Sequence, residues 1–165
     1  MLTQDQRRNC IDKIRGLPSQ VKDLVNGLSD EQLTTKSLAT EWTIAQIAHH
    51  LADSHMNSFI RLKLLLTEDH PPLKPYDQEA WATMADEVGL PIQPSLMLLQ
   101  GLHQRWVTVF ESLSEAEWHR TAYHPEIGDI TADDLLRIYA AHGEDHLNQM
   151  KRVLAAQGDQ EDASY

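Results

Sequence analysis

The sequence contains a single cysteine, Cys10, among 165 residues. One thiol cannot form an intramolecular disulfide framework, and it cannot supply the several thiolates of a cysteine-rich zinc site. No catalytic motif surrounds Cys10, so we interpret it as a small buried residue rather than as a nucleophile.

Basic residues are also scarce. The chain has 14 Lys and Arg against 25 Asp and Glu, a formal net charge of −11 with histidine neutral. Affinity for nucleic acid comes mostly from basic side chains that neutralise phosphates, and anionic membrane surfaces repel an acidic chain. We therefore expect neither nucleic acid nor a membrane surface among the partners.

Long apolar runs are missing as well. No stretch of about 18 apolar residues could span a membrane, and the first residues lack the apolar segment of a secretory signal. These observations predict a cytoplasmic protein. The length predicts one domain over residues 1–165.

Apolar residues recur at intervals of three and four, which is helical spacing, and no segment alternates for long as a strand does. The pattern predicts an all-α fold, a four-helix bundle in which a long crossover joins the second and third long helices. The four predicted helices run from about Gln4 to Asn26, Thr43 to Thr67, Pro94 to Ser112 and Thr131 to Gln157.

Prolines and the chain terminus should interrupt this helical pattern. Pro18 should kink or break the first helix, because proline has no amide hydrogen to donate. Three prolines between His70 and Pro75 predict an extended crossover, followed by a short helix from about Asp77 to Ala85. We expect the last residues, 159–165, to be frayed.

Nine histidines are the unusual feature of the composition. His142 and His146, four residues apart in the predicted fourth helix, share one face and fall on its apolar stripe, so they point into the bundle. Two such imidazoles can bind one divalent metal, although two buried, hydrogen-bonded histidines remain an alternative. The sequence HGEDH lacks the glutamate position of the zincin motif HExxH, which excludes that protease class.

A third metal ligand would have to come from the second helix, which carries His49, His50 and His55. His55 lies nearest the centre of the apolar stripe, His50 lies on its border, and His49 points almost opposite. Periodicity favours His55 or His50 without choosing between them. The other histidines, His70, His103, His119 and His124, are expected to be solvated or locally hydrogen-bonded, with His124 in a loop that could cover the site.

Seven segments, in a specific order and spacing, resemble the DinB-like superfamily, in particular its YfiT and bacillithiol-transferase branch. The segments are Trp42–Ser58, Arg61–Leu64, Leu66–Glu68, Lys74–Asp77, Glu79–Trp81, Leu98–His103 and Tyr123–Pro125. The resemblance covers nearly the whole chain. It implies a four-helix bundle that binds a metal through three histidines.

The resemblance also implies which histidines these are. The histidine of a W-[ST]-x-x-x-[ILV]-x-x-H-[LI] motif corresponds to His50, and an H-x-x-x-H pair corresponds to His142 and His146. Relatives carry further histidines between the last two, where this chain has Gly143, Glu144 and Asp145. That departure leaves the three ligands intact.

Three neutral histidines would leave open positions on a metal, as in catalytic sites. All-imidazole ligation suits several transition metals, and we expect one zinc or nickel ion per subunit. Such an ion lowers the pKa of a bound water, which gives a hydrolase, or of a bound thiol, which gives a transferase. The resemblance implies both activities, and in either case the reacting group is metal-bound water or thiolate rather than a protein side chain.

No HExxH-type glutamate is present to activate water, so we favour transfer of a low-molecular-weight thiol of the bacillithiol type to a small electrophile. A metal-dependent hydrolase is the alternative, and a non-catalytic, metal-binding stress-response bundle that acts as a dimer is a further one. A fourth protein ligand such as His55 would favour the non-catalytic alternative. The resemblance also implies a homodimer.

Several further side chains are candidates for roles around the metal. Metal-bound histidines usually donate their second N–H to a nearby acceptor. Arg61 is a candidate for binding an anionic group of the substrate. The candidates for the acceptor roles are Asp53, Ser54, Asn57 and Asp145.

Overall fold

The computed structural model describes residues 1–162. These residues form eight helices and a pair of antiparallel strands. In chain order the elements are α1 Gln4–Val25, α2 Asp30–Thr34, α3 Ile44–Thr67, α4 Gln78–Trp81, α5 Ala85–Gly89, α6 Gln93–Ser112, α7 Glu115–Trp118, β1 Thr121–His124, β2 Gly128–Thr131 and α8 Ala132–Asp162.

The four long helices, α1, α3, α6 and α8, form the predicted four-helix bundle. Both α1 and α3 pack against α6 and α8, so α1 and α3 occupy diagonal corners. Residues 68–92 form the long crossover between α3 and α6. None of the helices within residues 1–162 combines the length and apolar character needed to cross a membrane.

Capping residues set where the helices begin. Thr43 accepts a hydrogen bond from the Gln46 amide, and the Gln46 side chain accepts one from the Thr43 amide, which is a capping box at the start of α3. Thr131 and Asp134 make the equivalent reciprocal pair at the start of α8. These caps fix the rotational register of the two helices that carry the histidines.

Of the two effects predicted for Pro18, a kink or a break, the break is wrong, because α1 continues through it to Val25. A proline at position 18 cannot donate to the Ile14 carbonyl one turn earlier. His103 of α6 supplies a replacement: its Nδ1 lies 2.5 Å from the Ile14 carbonyl oxygen. A side chain from a neighbouring helix thus satisfies the carbonyl that the proline leaves free.

Two other predicted boundaries differ. The crossover contains two short helices, α4 and α5, where one was expected. The fourth long helix extends to Asp162 rather than ending near Gln157, since one glycine, Gly158, costs a helix only about 1 kcal/mol. Residues 163–165 of the segment expected to be frayed lie outside the described residues.

The strand pair β1–β2 was not predicted from the sequence. Each strand has four residues, too few for alternation to be recognised, and the paired Ala122 and Ile130 are both buried. Gly128 has a φ of 87° at the end of the connecting turn, a conformation that favours glycine. The Tyr123 backbone also exchanges hydrogen bonds with the proline-rich crossover, which ties that segment to the hairpin.

Gly143 marks a close approach between α8 and α1. A Cβ atom at this position would lie 2.8 Å from a methyl carbon of the buried Leu17. At Gly101, in the middle of α6, an added Cβ atom would have no heavy atom of the described residues within 4 Å. The two glycines therefore differ in packing while sharing a mid-helix position.

We expect Gly101→Ala to raise the free energy of unfolding by about 0.5–1 kcal/mol, because alanine is the better helix former. Gly143→Ala should lower it by about 1 kcal/mol, since overpacking against Leu17 costs about 1–3 kcal/mol and exceeds the helical gain. Urea unfolding of both variants measures the difference. Equal stabilisation by the two substitutions would contradict the close approach.

Candidate metal centre

Three histidines converge between α3 and α8. The Nε2 atom of His142 lies 3.2 Å from Nε2 of His50 and 3.1 Å from Nε2 of His146. One ring nitrogen of each lies within 4.8 Å of the others. Two nitrogens bound tetrahedrally at about 2.0–2.1 Å from zinc are about 3.3 Å apart, so this spacing suits a single ion.

Burial keeps these rings neutral. Desolvation, followed by the neighbouring His146, lowers the pKa of His50 to about 4. Desolvation is also the main cause that lowers the pKa of His142 and of His146. Metal binding requires unprotonated imidazole nitrogens, and three of them directed at one point form a donor set that fits a divalent transition metal.

A polar chain leads from His146 to the protein surface. The Nδ1 atom of His146 lies 2.6 Å from Oε1 of Gln149. The amide nitrogen of Gln149 donates to Glu41, and Glu41 also accepts from Arg152 at 3.1 Å. A carboxylate only accepts, so Gln149 turns its NH₂ group to Glu41 and its oxygen to His146. The proton of neutral His146 therefore lies on Nδ1, which leaves the Nε2 lone pair free for a metal.

Gln149 and Glu41 were not among the residues predicted from the sequence. A helical spacing of three residues places Gln149 beside His146, so periodicity could have predicted this contact. Glu41 lies in the segment before α3, and nothing in the sequence indicates that it approaches α8.

His55 is fully buried but does not face the same point as the three histidines. Its Nε2 lies 3.1 Å from Nδ1 of His142, and its Nδ1 lies 2.9 Å from Nε2 of His103. Both of its ring nitrogens are thus engaged by other histidines. His50 rather than His55 meets the pair from α8.

The expectation for His103 is wrong, since this residue is neither solvated nor locally bonded. It is 2% exposed and contacts His55 and the distant Ile14 carbonyl, because helical spacing in α6 directs it into the core. His49 is also buried, and it bonds to Ser95 and to the Leu90 carbonyl on the opposite side of α3.

Of the remaining histidines, His70 is solvated and His119 and His124 have local partners, as expected, but His124 lies in a strand rather than in a loop. His70 is exposed and pairs with Asp129, and exposed His119 bonds to the Glu115 carbonyl one turn earlier. His124 is buried at the end of β1 and accepts a hydrogen bond from the amide two residues later.

Ser54 is the one acceptor candidate that the structure brings next to the cluster. It is buried, and its Oγ lies 3.4 Å from Nε2 of His142. Asn57 instead donates to the Asp53 carbonyl within its own helix.

The two acidic candidates lie away from the converging nitrogens. Asp145 is exposed on α8. The side chain of Asp53 is half-buried, and burial together with the charge of Asp86 on α5 raises its pKa.

Arg61 is linked to the cluster through one intervening side chain, that of Tyr139. Its guanidinium donates to the Tyr139 hydroxyl at 3.3 Å and to the Lys74 carbonyl at 2.7 Å. The Tyr139 ring in turn lies against His142, with ring centroids 5.5 Å apart. No carboxylate within residues 1–158 pairs with Arg61, and its buried Nε has no hydrogen-bond partner there.

Residues 14–150 match the sequence profile of the DinB superfamily. The chain belongs to this superfamily. A Geobacillus kaustophilus protein named "Putative metal-dependent hydrolase GK0616" is 47% identical over 147 residues, which is 88% of this chain and 82% of that protein. "Putative metal-dependent hydrolase YfiT" of Bacillus subtilis is 36% identical over 158 residues, or 95% of this chain and 89% of YfiT.

A solved structure supports the same membership of the DinB superfamily. It is described as "YfiT from Bacillus subtilis is a probable metal-dependent hydrolase with an unusual four-helix bundle topology". It superposes with a TM-score of 0.91 at 36% identity and covers 96% of this chain and 91% of that one. The resemblance drawn from the sequence motifs and the four-helix bundle are both confirmed.

We expect His142→Ala to remove most of the bound metal from the purified protein, because His142 lies between the other two histidines. His49→Ala should retain it, since His49 faces α5 and α6. Elemental analysis of the two variants after identical zinc loading and dialysis makes the comparison. Full metal occupancy in a His50→Ala protein would contradict the assignment of the three ligands.

Proposed function

We propose that this protein is a metal-dependent enzyme that transfers a low-molecular-weight thiol of the bacillithiol type to an electrophilic small molecule. One divalent ion, zinc or nickel, would be held by His50, His142 and His146. The observation that carries the proposal is the convergence of three imidazole nitrogens, in which the Nε2 atoms of His50 and His146 lie 3.2 and 3.1 Å from Nε2 of His142. A divalent ion there would supply an open Lewis-acid position that lowers the pKa of a bound thiol or water.

The hydrogen bonds of His55 favour an open rather than a closed site. A closed structural site needs a fourth protein ligand, and His55 was the candidate. Its two ring nitrogens are instead engaged by His142 and His103. This arrangement supports a catalytic centre over the non-catalytic stress-response alternative.

The carboxylates around the cluster favour a thiol over water as the reacting group. Hydrolysis needs a base that accepts the proton of water, and Glu41 is a weak one because hydrogen bonds from Gln149 and Arg152 lower its pKa. Glu144 pairs with Lys13 on the surface. A thiol whose proton the metal has displaced needs no such base.

Arg61 and Trp42 are suited to holding the substrate. Arg61 carries a positive charge without a carboxylate partner among the described residues, so it can bind a carboxylate of the thiol. The Trp42 ring lies 4.7 Å from the His50 ring and forms an apolar wall beside the cluster. Such a wall excludes water from a reacting electrophile.

Hydrolysis with water as the nucleophile is the second candidate. The names of the relatives, which describe metal-dependent hydrolases, favour it. Both candidates share the same three histidines and differ in what binds the open position. An assay of the two reactions therefore separates them.

We expect metal-loaded protein to conjugate bacillithiol to an activated aryl halide, to lose this activity with a chelator and to regain it with zinc or nickel. His146→Ala should abolish conjugation, since it removes one of the three ligands. Cys10→Ser, which removes the only protein thiol, should leave the rate nearly unchanged. A loaded protein that cleaves esters or amides but conjugates no common small thiol would establish the hydrolase instead.

We expect Arg61→Met to raise the KM for a carboxylate-bearing thiol about tenfold, the equivalent of about 1.4 kcal/mol in binding. The KM for an uncharged thiol such as 2-mercaptoethanol should stay within about twofold. Arg105→Met is the matched control, because Arg105 is exposed on α6 and lies over the Phe59 ring. Equal effects of Arg61→Met on both thiols would show that Arg61 does not bind the carboxylate.

A further inference from the structure

A continuous chain of hydrogen bonds crosses the bundle behind the candidate metal centre. It begins at the Ile14 carbonyl in α1, which lies 2.5 Å from Nδ1 of His103. Nε2 of His103 lies 2.9 Å from Nδ1 of His55, and Nε2 of His55 lies 3.1 Å from Nδ1 of His142. Three imidazoles from α6, α3 and α8 thus connect one backbone carbonyl to one candidate metal ligand.

The carbonyl at the start of the chain determines the direction of every bond. A carbonyl oxygen accepts and never donates, so the His103 proton must lie on Nδ1. A neutral imidazole has one N–H, so Nε2 of His103 carries a lone pair and accepts a hydrogen bond. The donor is Nδ1–H of His55. By the same argument, Nε2 of His55 accepts from Nδ1–H of His142.

Burial supports the neutral state on which this argument depends. His55 and His103 are 0% and 2% exposed. Desolvation also lowers the pKa of His103 to about 4. Each N–H···N contact of the chain requires one N–H and one lone pair, which a neutral imidazole supplies.

Pro18 explains why the Ile14 carbonyl can begin the chain. In an uninterrupted helix, this oxygen would accept from the amide of residue 18, which proline lacks. The freed oxygen is inside the core and needs a donor, and His103 is that donor.

We propose that His103 and His55 are positioning residues that hold His142 in the tautomer whose Nε2 lone pair faces His50 and His146. The inference rests on the proposed metal site and adds residues two and three steps removed from the ion. Metal-bound histidines ordinarily donate their second N–H directly to a carbonyl or carboxylate. Here the carbonyl that sets the orientation is separated from the ligand by two further rings.

The chain has a specific effect on His142. If His55 were absent or reversed, His142 could keep its proton on Nε2, directed at the point where the three histidines meet. That proton would have to move before a metal could bind. Loss of such outer contacts typically costs about 10–100-fold in metal affinity.

Nitrogen NMR of the metal-free wild-type protein tests the tautomer directly. Long-range ¹H–¹⁵N correlation spectra at neutral pH distinguish protonated from unprotonated ring nitrogens, and His142→Gln identifies the His142 signals by their loss. We expect His55, His103 and His142 all to be protonated on Nδ1 alone. A His142 ring protonated on Nε2 in the wild-type protein would overturn the proposal without any reference to metal or activity.

His103→Phe tests the coupling to metal binding, with His49→Phe as the matched control. Both substitutions replace one buried histidine that makes two hydrogen bonds, but only His103 belongs to the chain. We expect the zinc dissociation constant, measured by competition with a chromophoric chelator, to rise about 10–100-fold in His103→Phe and less than about threefold in His49→Phe.

The same spectra separate positioning from a general structural effect. In His103→Phe, the His142 signals should show a mixture of tautomers, whereas His49→Phe should keep the wild-type pattern. Unchanged zinc affinity and an unchanged His142 tautomer in folded His103→Phe would refute the proposal. If wild-type protein shows the expected tautomer yet binds no zinc or nickel, the proposed function fails and the assignment of the hydrogen-bond chain survives.

Discussion

The interior of this bundle depends on the hydrogen bonding of buried neutral imidazoles. Each such ring presents one N–H and one lone pair, and leaving either unsatisfied in a core costs about 1–3 kcal/mol. The histidines in the core or at its edge are His49, His50, His55, His103, His124, His142 and His146. Their pairing constrains how the four long helices rotate against one another as strongly as the apolar side chains do.

The two histidines of α8 are oriented by different kinds of partner. His146 is linked through Gln149 to Glu41 and Arg152 near the surface, where salt screens charges. His142 is linked through two buried rings to a main-chain carbonyl. One of these two histidines therefore depends on an exposed, charged contact and the other on a contact that solvent does not reach.

Much of the architecture could be predicted from local signals. The capping residues Thr43 and Thr131 mark the starts of α3 and α8, and the spacing of His142 and His146 places both on the inner face of α8. Periodicity could not choose between His50 and His55, because both are buried. The choice depends on His103, which reaches His55 from another helix.

The features that escaped sequence analysis all depend on contacts between distant segments. Pro18 predicted a kink or break in the first helix, because nothing near it in the sequence indicates that a donor from α6 replaces its missing amide hydrogen. Glu41 approaches α8 from the segment before α3. The four-residue strands β1 and β2 depend on each other and on the crossover rather than on a recognisable alternation.

The contact between His103 and the carbonyl freed by Pro18 joins two residues that would each be unfavourable alone. A helix with Pro18 but without His103 has an unpaired carbonyl in the core, and a core with His103 but without Pro18 has a donor that must share its acceptor with the residue-18 amide. Neither residue belongs to the cluster of three converging histidines. Their substitutions are nonetheless coupled, so drift at one of these sites restricts which residues the other can accept during evolution.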